Sequence, residues 1–401
     1  MGTMLLSIAA IALGVVAALL LVPVLVFFVQ MLLSAAPRPA PAAPPLRRAR
    51  VAVLVPAHNE SAGIAAALAT MTPQLQPGDR LLVVADNCSD DTAVIAAAAG
   101  AEVLERHDLQ RRGKGYALDA GVRHLQADPP EVVLIVDADC ALQPGALDRL
   151  AAACADTLRP VQALYLMQSP PGAGLATRIA EFAWVVKNLA RPLAWLRLGL
   201  PCQLMGTGMA FPWAQIRSAP LASGHLVEDM QLGLDLAAAG SPPLFCPDAL
   251  VTSRFPAQAA GLTAQRTRWE HGHLGVIATQ GPRLLWRAIA QGRGALAAMV
   301  LDLCVPPLAA LVLMWVALLA VSALLAGVGG SGGPLAFSVA AIVLLAVSVL
   351  LAWALHGQRI VSLRELLGAP LYVLRKIPIY ARLLKGRQVE WVRTKRDDKP
   401  Q

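Results

Sequence analysis

Charge is what this chain has little of. Asp, Glu, Lys and Arg make up 15% of its 401 residues, against 56% apolar, and that balance excludes a wholly soluble protein. A basic stripe interleaved with aromatics is missing too, and with it any sign of an RNA or DNA module, so no nucleic-acid partner is expected. The six cysteines (Cys88, Cys140, Cys154, Cys202, Cys246, Cys304) contain no C-x-x-C pair, and no histidine stands at zinc spacing. The cysteines are scattered, and a reduced, cytosolic setting fits the globular part best. Internal repeats are not evident.

What is abundant is apolar sequence, and it is not evenly spread. Leu5 to Leu33 carry no charge, a run longer than the about 20 residues that cross a hydrocarbon core about 30 Å thick. It has neither the basic start nor the small-residue cleavage site of a secretory signal, so it reads as a retained transmembrane helix, with Pro23 a candidate kink. A Pro-rich linker over 37–50 follows, closed by Arg47, Arg48 and Arg50. Apolar runs resume at 304–327 and 335–355, joined by an uncharged GVGGSGG turn; Asp302 and Pro306-Pro307 blur their start. After Trp353 the chain is rich in Lys and Arg (Arg359, Arg364, Arg375, Lys376, Arg382, Lys385, Arg387, Arg393, Lys395 and Arg396) and is interrupted at Pro370 and Pro378. It reads as an amphipathic tail on the cytoplasmic leaflet, in contact with membrane lipids. The arginines after the first run place the N-terminus outside, and three crossings then put the domain and the tail inside. The expected divisions are 1–36 for the first membrane helix, 37–50 for the linker, 51–295 for a cytoplasmic domain, 296–356 for two membrane helices and 357–401 for the tail.

Between the apolar ends the pattern alternates. Strands read at 51–55, 81–85, 101–105 and 132–136, with helices near 61–71, 91–99 and 115–126. That order predicts an α/β fold, a mainly parallel sheet with helices on both faces. Three of the strands run directly into polar residues, PAHNE, DNCSDD and DADC, and in a parallel sheet such ends gather along one edge. Asp137 and Asp139, two apart on an extended backbone, point to the same side, where both carboxylates can meet one hard divalent cation. A lone D-x-D is more often a polar turn that ends a strand. Past Pro144 helices are expected at 145–156, 174–199 and from Glu228, with a turn-rich 201–211 and an irregular stretch up to Pro256.

Further polar groups accompany the D-x-D. Asp86 ends the second strand, and His58-Asn59-Glu60 the first. RGKGY sets Lys114 between two glycines just before a helix, a cradle for anionic oxygens, although it is neither a Walker A loop nor a G-x-G-x-x-G fingerprint. VEDM carries Glu228 and Asp229, and QRTRW spans Gln265 to Trp269. Each has a plainer reading. Acids at a helix start are favoured by the helix dipole; Asp86 and Asp90 can cap the next helix, and Asp90 or Asp91 is expected to; Arg268 and Trp269 are common membrane-surface anchors. His271 and His273 read as structural, since one spacing of two is too little for a metal site.

Taken together, PAHNE, VVADNCSDDT, RGKGYAL, VDADC, GTGMAF, VEDM and QRTRW, in that order over about residues 51–275, resemble a family 2 glycosyltransferase of the GT-A fold. More narrowly they resemble its membrane-bound branch with a D, D-x-D, E-D, Q-x-x-R-W pattern, which includes cellulose, hyaluronan and poly-N-acetylglucosamine synthases and ceramide glucosyltransferase. The resemblance implies a Rossmann-like domain flanked by membrane helices and an inverting, metal-dependent hexosyl transfer from a nucleotide-sugar, UDP-linked first of all. Pro56, Glu60 and Asp86 would line the nucleotide pocket, with Asp86 near the base. Asp137 and Asp139 would hold ribose and Mg²⁺ or Mn²⁺, Asp139 being the stronger metal ligand. Asp229 would be the general base, and Gln265, Arg268 and Trp269 would close over the diphosphate and the acceptor sugar. The chemistry asks for these groups: the leaving diphosphate gains charge that a cation, Arg268 and Lys114 would neutralise, and a sugar hydroxyl needs a positioned carboxylate to attack.

The acceptor expected is lipid-linked or a growing envelope or exopolysaccharide glycan, because three crossings are few for a polysaccharide channel. A processive synthase would gain its channel by oligomerising or from polysaccharide-assembly proteins. A nucleotide-sugar-binding or nucleotidyltransferase-like module is the alternative from another class, and it would not need Asp229 or Q-x-x-R-W. A transporter is disfavoured, since no ionisable residue sits within the apolar runs.

Overall fold

The structure, a computed structural model, describes residues 2–36, 48–224, 227–256, 259–374 and 376–385. Most of the expected linker, with Arg47, and the end of the expected tail, with Arg387, Arg393, Lys395 and Arg396, lie outside the described residues, as does Arg375.

Eight strands form one mixed sheet: β1 (Val51–Ala57), β2 (Arg80–Asp86), β3 (Glu102–Arg106), β4 (Val132–Ile135), β5 (Ala141–Leu142), β6 (Val161–Gln168), β7 (Met209–Pro212) and β8 (Leu244–Arg254). Their spatial order is β3-β2-β1-β4-β7-β6-β8-β5. β1 to β4 pair in parallel, β7 runs antiparallel to both β4 and β6, and β6 pairs in parallel with β8. The parallel half is nearly all Val, Leu, Ile and Ala, as strands covered on both faces should be. Along β1, Val51, Val53 and Val55 enter one core while Ala52 and Leu54 enter the other.

Helices α1 (Gly2–Ser34), α2 (Ile64–Met71), α3 (Thr92–Ala98), α4 (Lys114–Leu125) and α5 (Ala146–Thr157) come first in the chain. Of these, α2 and α5 supply the first core, through Ile64, Leu68, Met71, Leu147 and Leu150. The second core takes Leu118, Val122 and Leu125 from α4, plus Leu232 and Leu236 from a later helix. Gly121 of α4 is required there, because a Cβ would lie 2.4 Å from Leu54 Cδ1. Each fully buried aliphatic side chain contributes about 1.5–3 kcal/mol.

The second half departs from the sequence reading. β6 and the eleven-residue β8 occupy stretches without a strand assignment, β8 within the expected irregular region. The expected 174–199 helix is α6 (Leu175–Val185), a π-helical turn (Val186–Ala190) and α7 (Arg191–Arg197). Then follow α8 (Trp213–Ile216), α9 (Glu228–Ala238), α10 (Ala259–Ala290) and α11 (Gly294–Leu303). Gln265 to Trp269 thus lie inside a 32-residue helix.

Among the described residues, three helices are long and apolar enough to cross a membrane: 3–34, 308–327 and 333–357. The last two correspond to α12 (Leu308–Gly327) and α13 (Gly333–Ala352), the latter prolonged by a π-helical turn. α1 passes Pro23 as one continuous helix and packs with α12 and α13 through Phe27, Trp315 and Leu345. Three short helices end the described chain: α14 (Leu363–Leu367), α15 (Ala369–Leu374) and α16 (Ile377–Lys385).

Candidate active site

The carboxyl ends of β1, β2 and β4 open on one cavity of about 350 Å³. Pro56, Glu60, Asp86, Lys114, Asp137 and Asp139 all line it. Parallel register brings them there: β1 pairs with β2 and β4 in step, so polar residues that follow each strand arrive at the same edge. Asn59 and Asn87 turn the chain at two of these ends with φ of 54° and 51°, the left-handed conformation that asparagine tolerates better than most residues. Asn59 Oδ1 accepts from the Ser89 amide at 2.7 Å, and Asn87 Oδ1 accepts from the Asp108 amide at 2.8 Å. Asp90, one residue before the N-cap Asp91, accepts from the Thr92 amide at 3.1 Å at the start of α3 and from the Ser61 amide at 3.2 Å.

Asp86 is buried, and Arg106 donates to its Oδ1 at 2.6 Å. Asp86 and Arg106 are register partners on β2 and β3. Arg106 also stands 5.7 Å from the centre of the Tyr116 ring. The sequence reading missed Arg106; the only signal was its register opposite Asp86.

Asp137, Asp139 and Cys140 each present a ligand atom within 4.8 Å of the other two. The buried Cys140 thiol is held well above its usual range by burial and then by Asp139 and Asp137, so it stays protonated and is a poor partner for a hard cation. The two carboxylates are oxygen ligands of the kind Mg²⁺ and Mn²⁺ prefer. The Asp137 amide donates to Thr207 Oγ1 at 3.0 Å. Buried Gln162 of β6 fixes that loop, donating to Thr207 O at 2.9 Å and accepting from the Met205 amide at 2.8 Å. Nothing in the sequence singles out Gln162.

Lys114 joins this cavity to the E-D pair. Its ammonium forms an ion pair with Asp137 and donates to Gly206 O at 2.5 Å. Gly206 has φ of +91°, and a Cβ there would lie 3.4 Å from Asp229 Oδ2. Burial works against the lysine's charge, but Asp137, Glu228 and Asp229 outweigh it and hold its pKa above the ordinary value. Glu228 moves the other way. Burial pushes it up to about 7, with Lys114 opposing and Asp229 adding to the rise.

Asp229 and Glu228 line a second cavity of about 310 Å³, beside Gly115, Leu118 and Gln231. The first turn of α4 therefore stands between the D-x-D and the E-D pair, with Lys114 reaching across. Gly115 makes that wall close-packed, since a Cβ would lie 2.5 Å from Leu221 O.

Gln265, Arg268 and Trp269 line neither of these two cavities. Trp269 meets Trp184 of α6 at 5.0 Å between ring centres, and Trp184 in turn meets Tyr165 edge-on at 5.4 Å. Gln265 is buried, and its Oε1 has no hydrogen-bond partner among the described residues. Gly272 of α10 seats Val227, the residue before the E-D pair: a Cβ would lie 2.6 Å from Val227 Cγ1. His271 and His273 are buried and bond through Nε2 to the carbonyls of Ile379 and Leu303, both at 2.9 Å. Burial, then Lys187, pushes His273 down to about 3. Both histidines are structural.

Residues 48–272 match the family described as glycosyltransferase like family 2. An uncharacterized glycosyltransferase of Mycobacterium tuberculosis (strain ATCC 25618 / H37Rv) is 40% identical over 102 residues, 25% of this chain and 42% of that protein. A probable glycosyltransferase of Bacillus subtilis (strain 168) is 27% identical over 262 residues, 57% of this chain and 56% of that one. The chain thus spans about half the length, or less, of these curated relatives. Among solved structures, a mannosyltransferase from Pyrobaculum calidifontis in complex with GDP-Man and Mn²⁺ is 20% identical, with 94% of this chain and 95% of that one covered at a TM-score of 0.54. That likeness shows a shared fold.

Proposed function

Because the chain belongs to the glycosyltransferase like family 2, we propose that it moves a sugar from a nucleotide-sugar, a UDP-sugar first of all, to a lipid-linked or growing envelope glycan, with inversion. The observation that carries this reading is the Lys114 bridge between a cavity holding Asp86, Asp137 and Asp139 and the loop against Asp229. Pro56 and Glu60 bound the nucleotide end of that cavity, and Asp86, fixed by Arg106, faces the base. Asp137 and Asp139 would hold Mg²⁺ or Mn²⁺, which when bound neutralises charge on the leaving diphosphate. Lys114 adds a second positive group on the same side. On the other side Asp229 takes the proton from the acceptor hydroxyl as that oxygen attacks the anomeric carbon. Gln265, Arg268 and Trp269, which line neither cavity, would close over the diphosphate and the acceptor sugar, Trp269 offering a flat apolar face to a sugar ring.

We place the catalytic unit over 51–295, at the inner leaflet of a cell membrane, with 3–34, 308–327 and 333–357 as its membrane helices and 357–401 as a basic surface tail. Purified protein in nanodiscs, given a panel of UDP-sugars with GDP-mannose beside them, is expected to release nucleoside diphosphate from one donor. Asp229→Asn is expected to bind that donor normally and to turn over about 10²–10⁴-fold more slowly. Full turnover by Asp229→Asn would favour a nucleotide-sugar-binding or nucleotidyltransferase-like module instead. The Q-x-x-R-W segment favours one further reading, a processive synthase with an oligomeric or partner-built channel. Radiolabelled product separates the two: a single added sugar supports the first, a ladder of long chains the second.

A further inference from the structure

The short helices α14 to α16 have two unlike faces. One is tied to the catalytic unit by carboxylates. Glu365 of α14 pairs with Arg178 of α6. Buried Glu270, next to Trp269 on α10, pairs with Lys376 and accepts from the Tyr380 hydroxyl. Tyr372 lies under two cations, with Lys376 at 5.3 Å and Arg266 of the Q-x-x-R-W segment at 5.8 Å from its ring centre. His271 meets the Ile379 carbonyl one residue beyond Glu270. The helices that carry Trp184 and Trp269 are thus both anchored to this segment.

The other face is apolar and uncovered. Leu363, Leu367, Leu371, Leu374 and Ile377 follow a helical three-to-four spacing across the breaks, with Leu367 71% and Leu371 60% exposed. Exposed Arg359 and Arg364 flank its beginning. Between 357 and 401 the sequence has eleven Lys and Arg against four Asp and Glu, nearly the whole +8 of the chain. A row of leucines in the same stretch of sequence as that excess positive charge, in a chain with three membrane-length helices among its described residues, matches an anionic lipid surface: acyl chains for the leucines, headgroups for the cations.

We propose that α14 to α16 form an anionic-lipid contact surface whose occupation is passed, through Lys376 and Tyr380 to Glu270, to the Gln265–Trp269 segment. The inference rests on the membrane reading above and is independent of the donor or acceptor. Lipid engagement orders one face of the segment; the Glu270 ties carry that order into α10, so leaflet charge sets how firmly Gln265 to Trp269 are held.

Hydrogen–deuterium exchange on the full chain tests this without any turnover. Nanodiscs of phosphatidylcholine alone are compared with discs containing equal parts phosphatidylglycerol. With phosphatidylglycerol, exchange in 363–381 and in 265–272 is expected to slow about tenfold. Leu367→Glu with Leu371→Glu is expected to abolish both effects, and Lys376→Met with Tyr380→Phe to keep the first and lose the second. Equal exchange in the two lipids, protection that survives the double Glu variant, or protection of 265–272 that survives Lys376→Met with Tyr380→Phe overturns the proposal. A global loss of protection, the mark of misfolding, is distinguished by β1 to β4, whose exchange must stay slow in every variant.

Discussion

Lys114 and Glu228 face each other across the site with opposite displacements, the lysine held charged and the glutamate held protonated. Glu228 binds its proton more tightly in the folded protein than in the unfolded chain, whose ordinary value is 4.5, and burial raises the folded value to about 7. Folding therefore takes up a proton in that window, and stability falls as pH rises from about 4.5 to about 7. In metal-stripped protein Glu228→Gln should match the native chain near pH 5 and melt at a higher temperature near pH 8. An unchanged melting temperature near pH 8 would show that the buried charge carries no penalty. Asp86 illustrates a different lesson at this scale. Its position at a strand end was legible, yet its carboxylate is oriented by Arg106 from a neighbouring strand, a contact that only register creates.

Among the elements, those that were legible carry their own boundary signals. β1, β2 and β4 are short apolar runs that stop at polar residues, and α4 begins after a glycine with φ of +129°. β8 is different: Pro247 and Asp248 interrupt its pattern, and it is a strand because β6 pairs with it through a register shift at Ala163/Leu164. The π-helical turn over Val186–Ala190 has no local signature either. Nor does QRTRW announce its 32-residue helix, since four of its five residues are polar. Helix α10 reaches the site at two points, Gly272 against Val227 and Gln280 in the lining of the cavity that holds Glu228 and Asp229. Gly272→Ala puts a methyl 2.6 Å from Val227 Cγ1, an overpacking that costs about 1–3 kcal/mol and pushes on the residue before Glu228-Asp229. The expected outcome is a lower kcat with donor affinity kept, measured by turnover beside nucleotide binding; Gly281→Ala, with its Cβ at 3.5 Å from the nearest atom, serves as the control and should leave kcat alone.

For the whole molecule, what matters is how the three membrane-length helices are fixed to the sheet-bearing domain. Asp302 of α11 accepts from Gln30 of α1 at 2.7 Å and from Arg191 of α7 at 2.9 Å, and all three are buried. Removing one partner of such a pair leaves an uncompensated charge, a loss of about 3–5 kcal/mol. Asp302→Ala should therefore lower the melting temperature in detergent strongly, and Arg191→Met with Asp302→Leu should recover most of it. No recovery would mean that the tie matters for geometry rather than for charge.

In the proposed function, carboxylates at the sheet edge grip a cation and, through it, a sugar-linked diphosphate. Titrating Mn²⁺ against nucleoside-diphosphate release from the donor found by the screen tests that most directly, with the native chain beside Asp139→Asn in the same nanodiscs. Release is expected to rise with Mn²⁺ from a negligible base and to be lost in Asp139→Asn while the melting temperature is kept. Release at full rate in chelator, unaltered by Asp139→Asn, would contradict that reading.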